Sequence, residues 1–134
     1  MFEITIEAEF CAAHALVIAG VREAIHGHNW RVTVTVGALG LDADGLLIDF
    51  HQLQSDVAQI LAPFHNANLN TIPPFDLLNP SAELVAKHIG DSVQVNLSRQ
   101  QKSPQATGQN PNHHVRLVSV RVTEAPGCSA VYRL

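Results

Sequence analysis

The chain has 134 residues, a length that suits one domain with its own core, and 46% of them are hydrophobic. Eight Lys and Arg stand against twelve Asp and Glu, for a formal net charge of -4, whereas a protein resting on phosphate contacts would be basic, so nucleic acid is excluded as a partner. The acidic first residues do not read as a secretory signal, no apolar run reaches membrane-spanning length, and two cysteines, Cys11 and Cys128, form no Cys-x-x-Cys pair, so a reducing, cytoplasmic setting is expected.

Phe2, Ile4, Ile6, Ala8 and Phe10 alternate with Glu3, Thr5, Glu7 and Glu9, the pattern of a half-buried strand. Residues 15–25 are a connection of mixed character, and residues 30–38, rich in Val and Thr, form the second strand. Turn residues at 37–45 lead to a helix starting at Asp49. Asp49 and Gln52 have capping-box spacing, and Phe50, Leu53, Val57, Ile60 and Leu61 form the stripe that Pro63 ends. Asn79-Pro80 reads as the cap and first turn of a second helix, with Glu83 at its positive end and Leu84, Val85, Ile89 and Val93 facing inward. Residues 99–114 are polar and read as a long loop. Residues 115–124 and 129–134 supply the third and fourth strands. The order is β-β-α-α-β-β, an α+β domain spanning residues 1–134. Two helices cover only one face of such a sheet, so the other face and both edges call for partners, most simply a ring of copies.

Three histidines stand out within this frame. His26 and His28 are two apart at the head of the second strand, so both point to one side. His14 follows the first strand. If the two strands are neighbours, three imidazoles reach one point, and three protein ligands with an open fourth position are the usual form of a catalytic zinc site. Adjacent His113 and His114 diverge in a strand and are read as ordinary surface or core residues, and Asp49 is explained by its capping role.

The segments Phe10-Cys11-Ala12-Ala13-His14, His26-Gly27-His28-Asn29-Trp30, Gly45-Leu46-Leu47-Ile48-Asp49-Phe50, Leu69-Asn70, Asn79-Pro80-Ser81-Ala82-Glu83 and Thr123-Glu124, with Tyr132, occur in order over nearly the whole chain. In this combination the sequence resembles the 6-pyruvoyl-tetrahydropterin synthase and 6-carboxy-tetrahydropterin synthase family. The resemblance implies the tunnelling fold, a four-stranded antiparallel sheet with two helices between its second and third strands. It implies homo-oligomers, trimers or hexamers, in which subunit sheets form a barrel and active sites lie between subunits. It also implies Zn2+ held by His14, His26 and His28, with Glu124 anchoring a pterin substrate through the paired N–H donors of its ring edge.

Two departures from the family pattern bear on the chemistry. The common members carry a cysteine four residues before His-Gly-His, where this chain has Arg22, which cannot act as a base. Glu23 then resembles the branch in which a glutamate replaces that cysteine and the side chain of 7,8-dihydroneopterin is cleaved to 6-hydroxymethyl-7,8-dihydropterin. Where common members have Asp-His, this chain has His65-Asn66; of these only His65 can exchange protons near neutral pH. Glu23 and His65 are the candidate catalytic residues, and Cys11 and Cys128 read as small buried residues. The expected activity is a zinc-dependent pterin lyase acting on dihydroneopterin or its triphosphate. The alternatives are a 6-pyruvoyl- or 6-carboxy-tetrahydropterin synthase, or an idle zinc and pterin binder.

Overall fold

The computed structural model describes residues 1–103 and 110–134. The first strand, β1 (Phe2–His14), pairs antiparallel with β4 (His26–Ala38) from Phe2 opposite Ala38 to His14 opposite His26. Both strands are longer than the hydrophobic alternation indicates, because the small residues Cys11, Ala12 and Ala13 carry no such pattern and are ordered by the ladder instead. β4 pairs with β6 (Arg116–Ala125), which pairs with β7 (Cys128–Arg133), both antiparallel. In the connection between β1 and β4, β2 (Val17–Ile18) and β3 (Val21–Arg22) make a small hairpin that turns through Ala19 and Gly20, both at positive φ. Neither this hairpin nor a further strand of the main sheet was expected: β5 (Ala67–Asn68) runs parallel to the outer edge of β1, giving the order β5-β1-β4-β6-β7.

Both helices lie on the same face of this sheet. The first, α1 (Phe50–Leu61), is capped by Asp49, whose side chain accepts from the His51 N–H. The expected capping box does not form, because the Gln52 amide donates forward to Asp56. Phe50 also leaves the expected stripe and faces solvent, while Leu53, Val57 and Leu61 are buried. The second, α2 (Ala82–Gln101), is capped by Ser81, which accepts from the Leu84 N–H, rather than by Asn79. It runs through 99–101, read from sequence as loop. Leu97 continues its buried face, and Gln100 and Gln101 anchor its polar end on Asp56 and on the Val115 carbonyl. Residues 104–109 of the expected loop lie outside the described residues.

Strand periodicity sets which side chains meet the helices. Ile6, Phe10, Trp30, Val32, Val34, Val36, Leu117, Val120 and Val122 do so and form the core, with Trp30 stacked on Phe10. At Gly90, α2 comes so close to β7 that a Cβ would lie 2.6 Å from the Tyr132 ring. The opposite face is polar, with pairs such as Glu9–Arg31 and Thr5–Thr35. The cysteines correct the sequence reading, since both are exposed. Cys11 sits at an odd position of β1, hence on the open face, where its S–H donates to Asn29. Cys128 opens β7 just after the Pro126-Gly127 turn. Among the described residues no helix is long and apolar enough to cross a membrane.

Candidate active site

The end of β1 and the start of β4 meet at His14 and His26, and the period of two puts His28 on the same side. All three rings stand on the helix side just past Trp30, whose ring packs edge-on against His14 and His28. His14 is fully buried, and its Nε2 lies 3.1 Å from the Nε2 of His26. The other ring nitrogens fix the tautomers. A carbonyl only accepts, so His14 Nδ1–H donates to the Pro80 carbonyl at 2.8 Å and His26 Nδ1–H donates to the Ala24 carbonyl at 2.9 Å. In the neutral rings both Nε2 atoms are therefore bare lone pairs facing each other. The Nε2 of His28 is likewise buried and has no hydrogen-bond partner. Burial leads the effects that pull the His28 pKa below its usual value, against the opposing charge of Glu124, which favours the neutral ring that can ligate.

Glu124 completes the cluster. Its Oε1 lies 2.6 Å from His14 Nε2 and 3.2 Å from His28 Nε2, and the four candidate ligand atoms all lie within 4.8 Å of one another. Lone pairs converging on one another without protons to share are stabilised by a cation between them. The Nδ1 bonds to backbone carbonyls are the usual orienting partners of ligating histidines. The residues thus fit a metal ion, and three imidazoles with a carboxylate are a donor set suited to zinc.

Glu23 stands at the rim. Its backbone N–H donates to the Leu16 carbonyl, and its Oε1 accepts from the Leu16 N–H at 2.9 Å while lying 3.8 Å from His26 Nε2. The segment it grips is held from two further positions that sequence reasoning did not single out as site residues. The Asn70 side-chain amide accepts from the Ala15 N–H at 2.7 Å and donates to the Ala15 carbonyl at 2.9 Å. Asn79 repeats the arrangement on Val17, at 2.9 and 3.0 Å. Residues 15–17 therefore have every backbone polar group paired, those of Ala15 and Val17 by asparagines standing in for a neighbouring strand and those of Leu16 by Glu23. The available signal was that asparagine in loops commonly satisfies backbone groups.

His65 is elsewhere. It is exposed on the outer edge of β1, where its Nδ1 accepts from the Cys11 N–H at 3.3 Å, and among the described residues no hydrogen bond or ion pair joins it to the histidine cluster. Asn66, next to it, holds positive φ and donates its N–H to the Cys11 carbonyl. An open depression of about 570 Å³ beside this edge is lined by Cys11, His28, Asn29, Asn66 and Asn68. His113 Nε2–H donates to the Leu47 carbonyl, the structural role expected for it.

The family profile of 6-pyruvoyl tetrahydropterin synthase matches residues 3–134. A 6-carboxy-5,6,7,8-tetrahydropterin synthase of Bacillus subtilis (strain 168) is 30% identical over 138 residues, covering 98% of this chain and 85% of its own. The fold is similar to that of Caenorhabditis elegans 6-pyruvoyl tetrahydropterin synthase, with a TM-score of 0.72 at 20% identity over 100% of this chain and 97% of that one. It is also similar to a Plasmodium vivax 6-pyruvoyltetrahydropterin synthase in which a catalytic glutamate is replaced by alanine, with a TM-score of 0.71 at 17% identity over 99% and 97%.

Proposed function

The chain belongs to the 6-pyruvoyl tetrahydropterin synthase family, and on that premise we propose that it is a zinc-dependent pterin lyase that cleaves the side chain of 7,8-dihydroneopterin or its triphosphate to a 6-hydroxymethyl-7,8-dihydropterin. The observation that carries this reading is Glu23, whose carboxylate lies 3.8 Å from His26 Nε2 at the rim of the cluster. Arg22, at the position of the family's cysteine, is exposed in the hairpin. The Plasmodium vivax relative, whose altered catalytic residue is a glutamate, supports a glutamate in this role.

His14, His26 and His28 would hold the zinc, which when bound supplies Lewis acidity that eases ionisation of the side-chain hydroxyls. Glu124 presents its two oxygens to the paired N–H donors of the pterin edge. Glu23 takes the proton of the second side-chain hydroxyl, and that carbon becomes an aldehyde carbonyl as its bond to the first side-chain carbon breaks. The electron pair passes to the first carbon and the conjugated ring, and a proton delivered to that carbon completes the hydroxymethyl group.

Among the described residues no hydrogen bond or ion pair joins His65 to its own chain's cluster, and we infer that it serves the cluster of a neighbouring copy. The sheet leaves two free edges. The β1 side carries Glu3, Glu7 and Glu9 on the open face, and the β6–β7 side carries Arg121 and Arg133. Opposite charge at the two edges suits head-to-tail pairing of copies into a closed ring, as in the trimers and hexamers of the family. The second reading, a carboxy- or pyruvoyl-forming synthase, is favoured by the name of the Bacillus subtilis relative.

The test is to incubate zinc-loaded protein with 7,8-dihydroneopterin and, separately, its triphosphate, and to identify products by chromatography and mass. The expected result is a 6-hydroxymethyl-dihydropterin, formed at least ~100-fold more slowly by Glu23→Gln with its zinc retained. A carboxy- or pyruvoyl-type product, or turnover indifferent to Glu23→Gln, refutes the cleavage reading. Pterin binding without turnover identifies an idle binder.

A further inference from the structure

Glu124 is placed where it cannot perform a pterin-binding role as it stands. In β6 it continues the positions of Val120 and Val122, and so points to the helix side of the sheet. The pairing with β7 is interrupted there, with Thr123 opposite Ser129 and Ala125 opposite Cys128, so that Glu124 itself is the extra residue of a bulge. Bulges re-aim side chains and bend the strand locally. This one carries the carboxylate onto the histidines, where a single oxygen, Oε1, is engaged by both His14 and His28. Among the described residues the carboxylate has no other side-chain partner. A bidentate grip on a ring edge requires both oxygens, presented in parallel to two N–H donors. One carboxylate cannot give that grip and keep Oε1 among three imidazoles.

The charge of the cluster points the same way. Three neutral imidazoles leave the full double charge of a divalent ion in a largely buried place, and a single carboxylate halves it. About a quarter of the Glu124 side chain is exposed, compared with none of His14 and 40% of His26, so the carboxylate and His26 together lie on the solvent side of the cluster. An incoming ligand can therefore reach the carboxylate without displacing a histidine.

We propose that Glu124 is an exchangeable fourth metal ligand: it closes the site at rest and, when a pterin arrives, leaves the ion to clamp the ring, opening a coordination position for the substrate's hydroxyls. This rests on the pterin reading above for the identity of the displacing ligand, but not for the ligation. Closed by four protein ligands, a metal site is of the inert structural type, and an open fourth position is what catalysis needs. Exchange by Glu124 couples the two states to recognition, so that a ligand lacking the paired donors does not open the site. Glu124 is then a specificity-determining residue as well as an anchor.

The experiment uses cobalt(II) in place of zinc, with the visible spectrum reading coordination and chelator competition reading affinity. The variants are Glu124→Gln, which keeps shape without charge, and Glu124→Asp, which keeps charge without reach. Thermal melts without metal confirm that each is folded. Both variants are expected to bind cobalt at least ~10-fold more weakly than the parent, a loss of the size produced even by removing a supporting partner of a ligand, and both should have altered spectra. Adding 6-methylpterin, which has the ring edge but no side-chain hydroxyls, should alter the parent spectrum and leave those of the variants unmoved. Parent-like affinity and spectrum in both variants overturn the ligation. A parent spectrum indifferent to saturating 6-methylpterin overturns the exchange. Neither readout uses turnover, so failure of the proposed enzymatic reaction is distinguishable from failure of this inference.

Discussion

Asn70→Ala should be among the most damaging single substitutions outside the hydrophobic core. The side-chain amide closes two hydrogen bonds on Ala15, at 2.7 and 2.9 Å, and Ala15 is only 1% exposed, so water cannot readily take its place. Leaving a buried N–H and a buried C=O unpaired costs about 1–3 kcal/mol each. Partial relaxation brings the sum to about 2–4 kcal/mol, a large part of the ~5–15 kcal/mol that holds a typical domain together. The midpoint of thermal unfolding should fall by roughly 10 °C. Asn70→Asp should be no milder, because one oxygen still accepts from the Ala15 N–H while the other is set against the Ala15 carbonyl. Asn79→Ala removes the same pair of bonds from Val17, which is 47% exposed. There water substitutes, and the loss should stay below about 1 kcal/mol. Urea titrations at fixed metal and protein concentration give these values from the midpoint and slope. A loss below ~0.5 kcal/mol for Asn70→Ala, or equal losses at Asn70 and Asn79, would refute the argument that burial makes the clamp costly to break.

Two further predictions concern other parts of the fold. Gly90→Ala inserts a methyl group 2.6 Å from the Tyr132 ring and 3.0 Å from Leu117, and overpacking of this kind should cost about 1–3 kcal/mol in a urea titration despite the better helix propensity of alanine. His88 is half-buried between the rings of Phe64 and Phe75, and this burial lowers its pKa against the opposing charge of Asp91. A histidine pKa depressed by folding contributes stability that is full above the unfolded value of about 6.5 and is lost as pH falls through the folded value. Midpoints measured from pH 7.5 down to 5 should therefore fall less steeply for His88→Leu than for the parent, and parallel curves would exclude the effect.

The parts of the fold that were legible in the sequence are those with a period. The alternation in β1, β4 and β6 places the core residues, and the spacing of His26 and His28 places two rings on one side whatever the tertiary context. Pairing of β1 with β4 then adds His14 without further assumption. Other features have no period to read. β5 and the β2–β3 hairpin are strands of two residues each, stabilised by side-chain amides and single backbone bonds rather than by an apolar face. The polar end of α2 reads as loop until Asp56 and Val115 are available to receive Gln100 and Gln101. The separation of His65 from the cluster depends on which edge of β1 it meets, and that is decided by the turn at Asn66 rather than by local pattern.

The chain contains one tryptophan, and it lies at the floor of the histidine cluster. Trp30 is fully buried, its Nε1–H is tied to the Ala12 carbonyl, and its ring centre is 4.9 Å from that of His14 and 5.7 Å from that of His28. The protein's ultraviolet emission therefore originates mainly from a single chromophore in edge contact with two of the candidate ligands. Protonation of those rings, or the arrival of an ion between them, changes the electric field and the quenching at that indole directly. The occupancy of the centre is thereby written into the intrinsic fluorescence of the unlabelled chain, on the microsecond-to-second timescale of a mixing experiment.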